Sequence, residues 1–166
     1  MRSFVAVSLR LDRIVTLAAV VAASVAMAVA VAAGFWQVTT RFVLESPATW
    51  SEALVRLALI WMVFLGVAVA LREGALVSID IAHHYSTGRT RRLLEGAALI
   101  ANLILLAVLF WFGWDMIYRV RFQEMAGLEI SMSWGYAAIP VGAVFAAVGA
   151  IANFLDHRSG ELEAAV

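Results

Sequence analysis

Trp50-Ser51-Glu52-Ala53-Leu54-Val55-Arg56 opens a stretch that runs through Trp61 and Phe64-Leu65-Gly66 to Leu71-Arg72-Glu73-Gly74 and closes at Ile79-Asp80. Trp50 to Leu71 is 22 residues, which as a helix rising roughly 1.5 Å per residue spans about 33 Å, enough to cross a hydrocarbon core of about 30 Å. Its first two turns nevertheless carry Glu52 and Arg56. A charge at the centre of a bilayer costs about 2.5–3.5 kcal/mol on insertion scales, so each of these needs a partner or a path to water. Four residues apart, with the acid N-terminal to the base, they share one helical face in the favourable order, and Glu52 sits near the positive end of the helix dipole. The stretch therefore reads as a membrane span that neutralises its own charges.

The rest of the chain agrees. Of 166 residues, 64% are hydrophobic and the mean hydropathy is +0.92, against about 45–50% apolar in ordinary soluble domains. The twelve basic residues are all Arg and balance twelve acids at zero net charge. They are scattered, so no nucleic-acid partner is expected. With no cysteine, disulfides, thiolate metal sites and thiol catalysis are excluded.

Upstream, Arg2, Arg10 and Arg13 precede an apolar run from Ile14 to Trp36. At 23 residues this exceeds the core of a secretory signal, roughly 7–15 residues, so it reads as an uncleaved first span with Trp36 at its far interface. A polar loop from Gln37 to Thr49 contains Pro47, and Thr49 or Ser51 is placed to cap the second span. Downstream, the basic segment Arg72–Arg92 includes His83 and His84, and its centre, Leu76–Tyr85, reads as interfacial and partly helical. The third span is drawn at 93–114, with Asn102 in its middle and Phe110, Trp111, Phe112 and Trp114 at its end; Asp115 falls in the outer headgroup zone. A second outer loop, Met116–Ser133, leads to a fourth span at 134–155, where Pro140 predicts a kink. The tail 156–166 is polar and expected to fray.

The fold expected is thus an all-α integral membrane protein, residues 1–166 forming one domain of four transmembrane helices (14–36, 50–71, 93–114 and 134–155) joined by short loops. Eight Arg lie on the side of the termini and middle loop, and Arg41, Arg119 and Arg121 lie on the other. That asymmetry puts both termini in the cytoplasm.

Each candidate motif has a plain structural reading beside the functional one. Glu52 and Arg56 form either an intrahelical pair near an interface, with Arg56 snorkelling outward, or a polar contact to another membrane subunit; a transported-ion site is disfavoured because no second acidic cluster faces the pair from another span. His83 and His84 are adjacent, so they diverge on any helix, whereas haem-bearing anchors place axial histidines on facing spans. Asn102 and Asn153 are suited to interhelical hydrogen bonds, worth on average about 0.6 kcal/mol. Gly66 and Gly142 permit close helix approach. No nucleophile with a base, phosphate loop or metal-ligand spacing is present, so no catalytic, substrate-binding or metal residues are assigned and no cofactor is expected.

Trp50, Glu52, Arg56, Trp61, Phe64-Leu65-Gly66, Arg72, Gly74 and Ile79-Asp80, in that order and spacing, resemble the signature of the DctQ-type small membrane subunit of TRAP (tripartite ATP-independent periplasmic) transporters. Tyr136, Ile139-Pro140 and Gly142 add a weaker match in the last span. Two positions depart from the family pattern: Ser51 and Ala53 flank Glu52 where a second acid is frequent, and Leu76 stands where a histidine is frequent.

The resemblance implies a bacterial inner-membrane scaffold subunit in a sodium-coupled, binding-protein-dependent uptake system for small organic anions. Its partners would be a large membrane subunit carrying the substrate and sodium sites, a periplasmic substrate-binding protein, and membrane lipids. It places Trp50, Glu52, Arg56, Trp61, Gly66, Arg72, Gly74 and Asp80 at the partner interface, with Arg41, Arg119 and Arg121 facing the binding protein. The substrate is not written in this chain. Two other readings stand beside it: a membrane anchor of a respiratory-type enzyme, and a small self-associating channel or exporter.

Overall fold

The computed structural model describes the backbone of residues 2–46, 48–73 and 89–164, and side chains within 14–46, 48–73 and 93–154 except residue 95. Gly74, Asp80, His83, His84 and Pro47 lie outside the described residues, as does the expected interfacial segment 76–85. The described chain forms α1 (Arg2–Phe42), α2 (Thr49–Arg72), α3 (Arg89–Arg119), the single turn α4 (Ser133–Tyr136) and α5 (Ala138–Ala164). Four apolar stretches long enough to span a membrane lie at Ile14–Phe42, Thr49–Arg72, Gly96–Arg119 and Ser133–Phe154.

The helices run further than the hydropathy pattern alone marks. α1 continues past Trp36 because its polar residues bond back to the helix: Thr39 Oγ donates to the Phe35 carbonyl at 2.9 Å and Thr40 Oγ to Gln37 at 3.0 Å. It ends where the Ser46 N–H returns to the Thr40 carbonyl and Glu45 takes a positive φ of 49°. α3 passes Trp114 because Arg119 Nε donates to Asp115 Oδ2 at 2.7 Å, an i,i+4 pair that solvates the last turn. The tail expected to fray continues as helix to Ala164.

Neither Thr49 nor Ser51 caps α2. The cap position is Ala48, in an extended conformation and with no side-chain cap bond. The Ser51 hydroxyl instead donates to the Ala48 carbonyl at 2.6 Å, satisfying itself locally in a position that is fully buried. The proline effect also takes a different form. Pro140 sits in the first turn of α5, where the missing N–H leaves no ladder bond broken. The helix is divided one turn earlier, at Ala137, into α4 and α5.

In space the helices form a row rather than a closed bundle. α1 packs on α2 and, more lightly, on α5; α2 packs on α5 and α5 on α3, while among the described residues α1 and α3 do not meet. The fourth span, in the middle, is 39% buried, against 11% for the first and third at the edges. The core is correspondingly thin: Ala68, Leu71, Leu106, Ala143 and Ala146, flanked by Leu109, Phe145 and Ala147. Between apolar helices in lipid there is no hydrophobic driving force, so association depends on close backbone approach. The α2–α5 seam supplies it. A Cβ at Gly142 would lie 2.7 Å from Phe64 Cβ and 3.1 Å from the Phe64 carbonyl oxygen, and one at Gly149 would lie 2.9 Å from the Ala68 carbonyl. Gly113 does the same for α3 against Ile139 and Pro140.

Gly142→Ala therefore forces α5 away from α2. An overpacking cost of about 1–3 kcal/mol is expected, read as a lower midpoint in a detergent thermal-unfolding assay. Gly66→Ala is the control, since a Cβ there meets nothing within 4 Å.

Candidate functional site

At roughly 100° per residue, the side chains of α2 divide into faces. Ala58, Leu65 and Ala68 are buried within the row. Glu52, Arg56, Leu59, Val63 and Val67 fall on the opposite side, where Leu59, Val63 and Val67 are 40–51% exposed. Arg56 Nη2 donates to Glu52 Oε1 at 3.0 Å, and both side chains remain well exposed, at 71% and 63%. The sequence-predicted pair is thus formed within one helix, and its outer side is open. As an exposed i,i+4 pair it adds about 0.3–0.5 kcal/mol to the helix.

The residues assigned to a partner interface do not share one surface. Trp50 and Trp61 point roughly 150° away from the Glu52–Arg56 face by the same helical rotation. Trp61 is engaged by its own chain, its Nε1–H donating to the Trp134 carbonyl at 3.0 Å and tying α2 to the start of the fourth span. Arg72 is half-buried, its Cβ lying against Gly149. Gly66 is different, because among the described residues nothing lies within 4 Å of where its Cβ would be. Asn102 and Asn153 are half-buried and make no side-chain hydrogen bond among the described residues.

Beside the ion pair lies a groove that sequence reasoning missed. It follows Thr49, Glu52, Ala53, Arg56, Ile60 and Phe64 down α2, and is closed on the far side by Met125, Ala126 and Met132 from the outer loop and by Gly135, Tyr136 and Ile139. Its cavity volume is about 570 Å³. The far wall exists because the outer loop is a small built structure. Met125 N–H donates to the Ile130 carbonyl and Met132 N–H to Gln123, both at 2.8 Å, around an antiparallel bridge between Glu124 and Ser131. Ser131 Oγ bonds the Arg121 carbonyl at 2.9 Å and Ser133 Oγ the Ile117 carbonyl at 3.0 Å, anchoring both ends. Gly127, at φ +92°, lets the turn sit on α2's start: a Cβ there would be 2.7 Å from the Thr49 carbonyl carbon. The detectable hint was Gly127 within a polar segment.

Near the loop, the ends of α1 and α3 carry Arg41, Arg119 and Arg121, all exposed, with the Arg121 guanidinium 4.5 Å from the centre of the Phe122 ring. Phe110, Trp114 and Tyr118 form an i,i+4 aromatic ladder with centroids 6.2 and 6.0 Å apart, the interfacial belt of the third span.

A thin row of four spans, in which the Glu52–Arg56 pair is neutralised within α2 and leaves an open face, is the form of an accessory membrane subunit rather than of a self-contained enzyme or carrier. The family model for "Tripartite ATP-independent periplasmic transporters, DctQ component" matches residues 30–160, and the chain belongs to that family. It is 34% identical over 119 residues to the sialic acid TRAP transporter small permease protein SiaQ of Vibrio cholerae serotype O1 (strain ATCC 39315 / El Tor Inaba N16961), covering 72% of this chain and 69% of SiaQ. It is also 29% identical over 108 residues to the sialic acid TRAP transporter permease protein SiaT of Haemophilus influenzae (strain 86-028NP), covering 65% of this chain and 18% of SiaT. The protein is therefore a multi-pass inner-membrane transporter subunit and not an enzyme. Its partners are a large permease subunit and a substrate-binding protein.

Proposed function

We propose that this chain is the scaffold subunit of a sodium-coupled system that takes up a small organic anion, with sugar acids such as sialic acid inside that class. The relatives named above support the anion class, and the lack of any cluster of acidic residues and histidines among the described residues supports leaving the ion and substrate sites to the large subunit. The single observation that carries the scaffold role is the open face of α2. It is apolar along Leu59, Val63 and Val67, notched at Gly66 and headed by the Glu52–Arg56 pair. Because packing and polar contacts replace the hydrophobic effect in lipid, such a face suits permanent docking against a large membrane subunit. The outer surface bearing Arg41, Arg119 and Arg121 is assigned to the binding protein.

In the combined Glu52→Ala and Arg56→Ala variant, recovery of the large subunit in a mild-detergent pull-down should fall at least about threefold, and sodium-dependent uptake with it. The small loss of helix stability leaves expression unchanged. Intact complex and uptake would reduce the pair to a local helix feature; uptake indifferent to sodium would remove the coupling assignment.

The Arg asymmetry places both termini in the cytoplasm, so the loop at Ser46 is periplasmic. The natural chain has no cysteine, so Ser46→Cys and Ser159→Cys each report one site. An impermeant maleimide should label the first in intact cells and the second only after lysis; the reverse pattern inverts the topology.

A further inference from the structure

The groove beside α2 has a chemical order along its length. Glu52 lies nearest the start of the helix, Arg56 one turn deeper, and Ile60 and Phe64 deeper still. Thr49 is the N-terminal end of the apolar span. From the surface inward the groove therefore presents an anion, then a cation, then an apolar trough. A phospholipid with a primary-amine headgroup presents the complementary series: ammonium outermost, phosphate next, acyl chain deepest.

Size narrows the occupant further. The groove offers about 570 Å³, within the roughly 300–1,000 Å³ range of small-molecule pockets. The side walls are fixed by the chain itself, through the Gly127 turn packed on Thr49 and the Trp61–Trp134 bond, so the groove stands open without a partner present.

We propose that this groove holds one phosphatidylethanolamine-type lipid, its phosphate on Arg56, its ammonium on Glu52 and one acyl chain along Ile60 and Phe64. Both headgroup contacts engage the exposed sides of an existing ion pair, so neither charge is stranded when the site empties. The proposal goes beyond docking of the large subunit and does not depend on it, because every wall belongs to this chain.

The test counts phospholipid per small subunit by native mass spectrometry of the complex taken from nanodiscs of equal phosphatidylethanolamine and phosphatidylglycerol. Counting per small subunit covers material released from the complex as well as material within it. About one phosphatidylethanolamine per subunit is expected. The charge-swapped Glu52→Arg, Arg56→Glu variant keeps the i,i+4 pair but reverses its order, and should lower retention at least fivefold. Ile60→Trp, which fills the trough, should do the same with the headgroup pair intact. Retention unchanged in both variants, no phosphatidylethanolamine preference in the natural sequence, or a cross-link from residue 60 to the large subunit would overturn the proposal.

Discussion

The contact between α2 and α5 sets the shape of this molecule. Lipid tails are as apolar as the helices they surround, so helices associate only where backbones come close enough for dense packing and polar contact. Gly142 and Gly149 bring α5 against Phe64, Ala68 and Arg72 at distances no side chain would allow. Gly113 gives α3 the same access to the other side of α5. α5 thus serves both neighbours, α1 joins mainly through α2 with a lighter contact to α5, and an open row results. A row buries little, which is why so many large apolar residues, Phe35, Trp111 and Phe122 among them, face outward.

A row also leaves two broad faces, and the two are not equivalent. On one of them α2 carries an ion pair at the depth where a span meets the membrane surface. The pair is neutral as a unit, which makes its place in the membrane tolerable, yet its outer side keeps unused hydrogen-bonding capacity. Beside it the outer loop, held by Ser131, Ser133 and Gly127, builds a wall that turns part of that face into a groove. The same helix therefore presents an apolar face broad enough for another helix and a narrow trough suited to a smaller molecule.

Hydropathy and the 22-residue length of Trp50–Leu71 made the four spans legible, and the Glu52–Arg56 spacing made their pairing legible. These are local properties of helix geometry. What was not legible depends on contacts distant in sequence. Trp61 was legible as a tryptophan within a span, but its bond to the Trp134 carbonyl, 73 residues away, was not. Ser51 looked like a cap, although its hydroxyl bonds the Ala48 carbonyl instead. Pro140 read as a kink within the span, but it sits in the first turn of α5, where it breaks no ladder bond, and the helix is interrupted at Ala137 instead. The loop wall of the groove rests on a two-residue bridge too short to leave a strand pattern.

The assignment of α2's outer face to the large subunit is tested most directly by a photo-reactive amino acid placed singly at Val63 and at Trp111, which lie on α2 and α3 and are 51% and 73% exposed. After illumination of native membranes, residue 63 should yield a covalent adduct with the large membrane subunit and residue 111 should not. An adduct from residue 111 with none from residue 63 would place the partner on the far edge of the row and contradict the assignment.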